Sequence, residues 1–292
     1  MGARHALGLG LTVAAVAACG SSLAKAPSGP RAATVTVTRG FGGRTLSAAR
    51  AAPGQSALTA LRRVVRVSTS YGGRFVEAID GLSGNPSQGM AWLYFVNGIQ
   101  ASLGSADYTL HPGDREWWDY RYWNDLIQVP VAIGAWPEPF VHGYDGTRPA
   151  VSVSGPACAG GVRAALRKAG ARLVRTSRDW SVRVETFARA ASELSSSAWQ
   201  GRGLTVSLDH DRVMVYRGRG GLRPDPRAHA LIAGRQPGPT TGKSAELVVA
   251  GNTTAAACAA AHTLAADPAA VRDAYAVALD ASGHVIAYGG RP

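Results

Sequence analysis

The sequence predicts an α+β protein, with a mixed strand-and-helix domain over residues 34–140 followed by a small α/β domain over residues 150–292. Three observations carry this. The first half strings β-branched and aromatic runs around a single helical period, which asks for one helix packed on a sheet. The second half repeats strand–turn–helix units. Between them, Pro137, Pro139, Gly143, Gly146 and Pro149 interrupt regular structure. Composition changes across the same stretch. Five of the seven tryptophans fall between Trp92 and Trp136, and residues 151–292 keep only Trp180 and Trp199. Residues 31–150 carry 11 basic and 9 acidic side chains, against 18 and 10 in residues 151–292. A length of 292 residues suits two domains of ~100–200 residues each. The 46% apolar and 17% charged composition excludes wholesale disorder, and three cysteines exclude a disulfide-stapled miniprotein.

The chain opens on an export signal. Arg4 precedes an apolar stretch over residues 6–18, and Val16-Ala17-Ala18-Cys19-Gly20 places small residues before a cysteine. That order is the bacterial lipoprotein pattern: residues 1–18 are removed and the Cys19 thiol takes the lipid. About 13 apolar residues are too few to cross ~30 Å of hydrocarbon as a helix. Residues 19–33 read as a tether. The expected location is therefore the cell membrane, lipid-anchored on its extracytoplasmic side.

The first domain begins with the alternating strand Ala33–Arg39 and the turn Gly42-Gly43. Ser56 caps a helix over residues 57–65, with Leu58, Leu61 and Val65 on one face. Strands follow at residues 75–79, 90–97 and 116–123. Within this block, Gly54-Gln55-Ser56-Ala57-Leu58, Trp92-Leu93-Tyr94-Phe95-Val96-Asn97-Gly98, Pro112-Gly113-Asp114 and Trp118-Asp119-Tyr120 occur in order. Over about residues 34–125 this order resembles the transcobalamin-like C-terminal domain family, a β-grasp-like module. The resemblance implies a β-grasp-like N-terminal domain that binds a ligand, with cobalamin or another corrinoid as the known class and solute or vitamin uptake as the setting. Animal members close over cobalamin held by a helical barrel, and residues 151–292 lack the repeated long helices of such a barrel.

Period two places Trp92, Tyr94 and Val96 on one strand face and Trp118 with Tyr120 on another, to form an aromatic core with Leu58, Leu61 and Phe75. Trp117 and Trp123 fall on the opposite face with Arg115, Asp119 and Arg121, whose charges argue against full burial. Two readings stay open. Trp117, Trp123 and Arg121 form a platform for a flat or extended ligand, or they are covered by residues 126–140 or by the second domain.

In the second domain, strands are expected at residues 150–154, 171–174, 204–208, 213–216, 246–251, 274–279 and 284–288. Helices are expected after Cys158, over residues 182–194 and over residues 255–266. Thr240-Thr241-Gly242-Lys243-Ser244 is not a phosphate loop, because Gly238 is one position too close and a strand follows where a helix is needed. Asp209-His210-Asp211 reads as a solvated turn, not a metal site. Arg217, Arg219, Arg223 and Arg227 form a basic cluster. Export argues against nucleic acid as the partner of the net charge of +12 and favours an anionic envelope polymer. With Cys19 given to lipid, Cys158 and Cys258 remain as an even pair outside the reducing cytoplasm. Either they form a disulfide, which two neighbouring parallel strands would allow, or they are free thiols packed as small hydrophobes.

No zinc signature, nucleophile turn or dinucleotide fingerprint appears, so no catalytic residue, metal or resident cofactor is expected. The expected function is a noncatalytic lipoprotein that binds a small ligand or docks a membrane transport partner. A structural envelope protein is the competing class, and an extracytoplasmic hydrolase comes third.

Overall fold

The computed structural model describes residues 1–2 and 31–291. Cys19, almost all of the expected signal segment and most of the tether therefore lie outside the described residues. The described chain is α+β.

The first domain is a five-stranded mixed sheet with one helix against it. Strands β1 (Ala33–Arg39) and β2 (Arg44–Ala51) form a hairpin that precedes helix α1 (Ala57–Arg62). A small antiparallel sheet follows, made of β3 (Val67–Ser70), β4 (Phe75–Ile79) and β5 (Leu82–Ser83). The chain then returns to the main sheet through β6 (Met90–Val96), β7 (Ile99–Gln100) and β8 (Arg115–Tyr122). The order is β2-β1-β8-β6-β7, and β1 and β8 run parallel at its centre. Ser56 caps α1 as the sequence predicts, accepting from the Thr59 N–H at 3.2 Å. Leu58 and Leu61 are buried together with Val35, Val37, Val96 and Trp118. Phe75 departs from expectation: it is 57% exposed, because β4 turns Val76 inward in its place.

The second domain has three layers. Its central sheet contains β9 (Ala150–Ser154), β10 (Arg172–Leu173) and β11 (Trp180–Thr186), and helix α2 (Ala159–Ala169) connects the first two. Helical turns α3 (Phe187–Ala190) and α4 (Trp199–Arg202) lead into a three-stranded sheet of β12 (Val206–Asp209), β13 (Arg212–Tyr216) and β14 (Leu222–Pro224). The central sheet is completed by β15 (Ala230–Arg235), β16 (Ala245–Gly251), β17 (Ala276–Leu279) and β18 (Val285–Tyr288), with helix α5 (Thr254–Ala266) after β16. Its order is β10-β9-β11-β16-β15-β17-β18. Alternation along β16 explains the layering. Leu247 and Val249 join the core under α2 and α5, while Val248 and Ala250 join a second core with Phe187, Leu194, Val206 and Val213.

The helix expected over residues 182–194 is corrected. Residues 180–186 form a strand held parallel between β9 and β16, and only Phe187–Ala190 turn into helix. The alternation of Val182 and Val184 is the signal that counted; Phe187, Ala190 and Leu194 do share a buried face, but only after the strand ends. Strands β2, β3, β5, β7, β14 and β15 add to the set expected from sequence.

The two sheets meet at an aromatic join. Phe41, at the tip of the β1–β2 hairpin, packs edge-on against Tyr216 and Tyr275 of the second domain, with ring centroids at 5.6 and 5.1 Å. Phe95 and Trp117 stack at 5.0 Å from the other side, and Leu126, Val129 and Ala132 of the connecting segment close the cluster. Arg291 anchors the hairpin tip by donating to the carbonyls of Phe41 and Gly42 at 3.0 and 2.9 Å.

Candidate functional site

The platform expected from Trp117, Trp123 and Arg121 does not form. Trp117 is 5% exposed inside the aromatic join, and its indole N–H donates to the Thr38 hydroxyl at 2.8 Å. Trp123 is half-buried and stands apart from that cluster, its backbone N–H donating to the Gly89 carbonyl. Arg121 is fully buried. Its guanidinium donates to the Tyr275 hydroxyl at 3.2 Å and to the Leu126 carbonyl at 2.7 Å, and it lies over the Phe41 ring at 5.0 Å. Tyr275 in turn donates to Asp119 at 3.1 Å, and Asp119 also accepts from Thr38 and the Gly42 N–H. Burial pushes the Asp119 carboxyl up, and the Thr38 hydrogen bond is the foremost influence holding it down. Charges that looked solvated on the strand are thus partnered across the join, which is what permits their burial.

The opposite face of the first sheet packs against α1 and carries a second row of aromatic side chains. Tyr94 and Trp118 stack at 4.9 Å with their planes 17° apart, and Trp92 lies 5.2 Å from Tyr120. The register pairs Tyr94 with Trp118 and Trp92 with Tyr120 across β6 and β8, so all four rings share one face. Trp92, Tyr94 and Trp118 line a cleft of about 280 Å³, whose rim is built by Phe75, Leu103 and the ion pair between Arg74 and Asp107. Beside it, Tyr71 is 84% exposed and packs edge-on against Phe75 at 6.1 Å.

The ring positions are fixed from behind. Trp92 donates to the Leu82 carbonyl at 2.8 Å, Tyr120 to the Ser83 carbonyl at 2.9 Å, and Trp118 to Glu116 Oε1 at 2.6 Å. Glu116 is fully buried, and desolvation pushes its pKa up to about 8, so the acid is largely protonated at neutral pH. Burial likewise raises the Tyr94 phenol, with Tyr144 and Glu116 adding to the effect. Glu116 Oε2 and the Tyr94 hydroxyl have no protein hydrogen-bond partner among the described residues. The turn motifs support this floor. Asp114 accepts from the His111 N–H and from Asn97 Nδ2, both at 2.8 Å, and Asn97 takes the left-handed conformation expected of its Asn-Gly turn.

This lining offers stacking surface and hydrogen-bonding groups, the chemistry of binding. The cleft measures about 280 Å³, and neither histidine nor cysteine is among its lining residues.

The remaining sequence features are structural. Cys158, at the start of α2, and Cys258, in the second turn of α5, form a disulfide with their α-carbons 5.5 Å apart. The expected geometry is corrected in one respect: β9 and β16 are not neighbours, since β11 lies between them, and the bridge forms because α2 and α5 pack on one face. Ser244 accepts from the Gly238 N–H at 3.0 Å and leads into β16, as the refused phosphate loop requires. His210 sits exposed in the β12–β13 hairpin beside Asp209. Of the arginine cluster, Arg217 and Arg227 pair with buried Asp225, and Arg219 lies over the Tyr122 ring. Among the described residues, no group of three or more His, Cys, Asp or Glu could hold a metal ion, and no helix is long and apolar enough to cross a membrane.

No curated protein matches the chain. One solved structure similar to part of it comes from Ruminococcus gnavus ATCC 29149, a protein provisionally described as metal binding. It is 18% identical, over 32% of this chain and 97% of that one, and its TM-score of 0.27 is too low to bear on fold or ligand. Residues 54–121, which carry α1, the floor of the aromatic cleft and the motifs behind it, match the model of a domain of unknown function, DUF4430.

Proposed function

We propose that the protein is an exported, lipid-anchored, noncatalytic binding protein whose first domain captures a small ring-bearing ligand, or an aromatic side chain of a membrane partner, in the cleft over Trp92, Tyr94 and Trp118. The observation that carries this reading is the cleft whose lining joins Trp92, Tyr94 and Trp118 to the exposed ring of Phe75, with exposed Tyr71 packed beside Phe75. The motifs that resemble the transcobalamin-like C-terminal family build that floor, which supports a role in solute uptake. A stacked ring gains ~0.5–1.5 kcal/mol beyond its buried area, so a handful of contacts gives useful affinity.

The test is a titration of purified protein with cobinamide, riboflavin and a muramyl dipeptide, followed by tryptophan fluorescence. At least one probe is expected to saturate, and Phe75→Ser is expected to weaken it about tenfold, the equivalent of ~1.4 kcal/mol, without lowering the unfolding midpoint. No saturable signal from any probe, or affinity unchanged by Phe75→Ser, rejects the cleft as the site.

Anchoring rests on Cys19 and the apolar segment before it. Cys19→Ser removes the acylated thiol and is expected to move the protein from the membrane pellet to the soluble fraction, since stable anchoring needs more than one lipid chain. An unchanged pellet fraction rejects the lipoprotein reading.

A further inference from the structure

A second cleft, of about 620 Å³, opens on the other face of the first sheet, where that sheet overhangs the second domain. Its floor is Thr34 and Thr36 of β1 with Ala48 and Arg50 of β2, because paired residues of an antiparallel hairpin share a face. Arg115 and the buried edge of Trp117 continue the floor onto β8. The far wall is Arg272 and Asp273 of the second domain.

That wall is rigid. Gly134 of the connecting segment exchanges backbone hydrogen bonds with the 273–274 chain, donating to the Ala274 carbonyl at 2.7 Å and accepting from the Asp273 N–H at 3.3 Å. A Cβ at Gly134 would sit 2.4 Å from the Ala274 nitrogen, so only glycine permits this approach.

The charges do not balance. Arg50, Arg115 and Arg272 share the cleft with two acids, Asp273 and Glu116, but the Glu116 carboxyl is engaged by the Trp118 indole, and among the described residues no carboxylate forms an ion pair with any of the three arginines. Arg115 is held by neutral groups: one of its terminal nitrogens donates to the carbonyls of Ala135 and Trp136 at 3.1 and 3.3 Å, which fixes the plane of the guanidinium and leaves its other edge unclaimed. The hydroxyls of Thr34 and Thr36 are half-buried and make no hydrogen bond with the described protein. Three guanidinium forks and two hydroxyls converging on a fixed concavity form a donor-rich, acceptor-poor site.

We propose that this cleft binds a phosphate-bearing anion, with Arg50, Arg115 and Arg272 as its cationic contacts and Thr34 and Thr36 as neutral donors. The excess of about two positive charges matches a dianionic phosphomonoester, and planar guanidinium forks match its oxygens. Such a group is supplied either by a soluble phosphate ester or by the head group of an anionic lipid, which the anchored protein would meet at the membrane surface. The site is independent of the aromatic cleft, which lies across the sheet.

Isothermal titration of the purified full-length protein with glycerol 1-phosphate and, separately, with dihexanoyl phosphatidic acid tests the assignment. Saturable binding of at least one probe is expected, and the tighter of the two names the source. Arg272→Gln and Arg50→Gln, both at exposed positions, are each expected to weaken binding about tenfold, and Thr36→Val by a smaller factor. Arg66→Gln, whose side chain lies 3.8 Å from Asp80 on the small sheet, is expected to leave binding unchanged. Phe75→Ser is also expected to leave it unchanged, which separates this site from the aromatic cleft. Failure of both probes to saturate overturns the proposal. So does a loss in Arg66→Gln equal to that in Arg272→Gln, since that pattern reports only the net charge of the protein.

Discussion

Replacing Arg121 by Met is expected to destabilise the protein by ~3–5 kcal/mol, the usual cost of removing one partner from a buried charged network. The guanidinium is fully buried, and its removal strips Tyr275 of a donor and takes from Asp119 one of the cations near it. The effect is expected to be non-additive. Asp119→Leu alone removes the acceptor of the Gly42 N–H and the Tyr275 hydroxyl and leaves Arg121 a buried charge without its nearby carboxylate, whereas the double variant Arg121→Met/Asp119→Leu removes both charges and is expected to cost clearly less than the sum of the two single changes. Urea unfolding of the four proteins measures this directly. Strict additivity would show that the two side chains stabilise the join separately and that the Tyr275 hydroxyl does not couple them.

The second large effect is expected from the disulfide. Cys158 and Cys258 are 100 residues apart in sequence, and cross-linking a loop of that length restricts the unfolded chain by ~4–5 kcal/mol in the chain-entropy account. Cys158→Ser/Cys258→Ser is expected to lower the melting temperature by about 10 °C, at ~2–4 °C per kcal/mol for a domain of this size. Phosphine reductant added to the wild type should reproduce the shift, and thiol counting under denaturing conditions should rise by two only after reduction. A melting temperature indifferent to both treatments would show that α2 and α5 are held by their apolar packing alone. That packing is substantial, since Ala256, Ala257, Ala260, Ala261 and Leu264 form one buried face of α5.

Most of the first domain is legible in the sequence because its signals are local. The Ser56 cap, the Asn97-Gly98 turn and the aromatic alternation along β6 and β8 each depend on neighbours a few residues away. The same locality explains what was missed. Strand β2 is exposed at most positions on both faces, so it has no hydrophobic period to read, and only its pairing with β1 makes it a strand. Residues 182–194 carry a helical spacing and a strand alternation at once, and the partners that decide the matter, β9 and β16, are distant in sequence. Arg121 and Asp119 gave a misleading sign for a related reason: charge on a strand face reads as solvent exposure, and the Tyr275 hydroxyl that joins the two lies more than 150 residues away. The aromatic cleft was half visible. Trp92, Tyr94 and Trp118 could be placed on one face, but sequence periodicity cannot distinguish a covered face from an open one, and the exposure of Phe75 depends on how β4 is turned.

The hydrogen bond from Arg291 to the Phe41 carbonyl spans 250 residues of sequence. Contacts this distant are paid for in loop-closure entropy before they return anything, so they form late, after each sheet has assembled from nearer pairings. Until then, Phe41, Phe95 and Trp117 lack the Tyr216 and Tyr275 rings that the distant part of the chain supplies. A chain delivered across a membrane unfolded would therefore pass through an interval in which it is foldable but sticky, and the rate of that final docking step would govern how much of it is lost to aggregation or proteolysis.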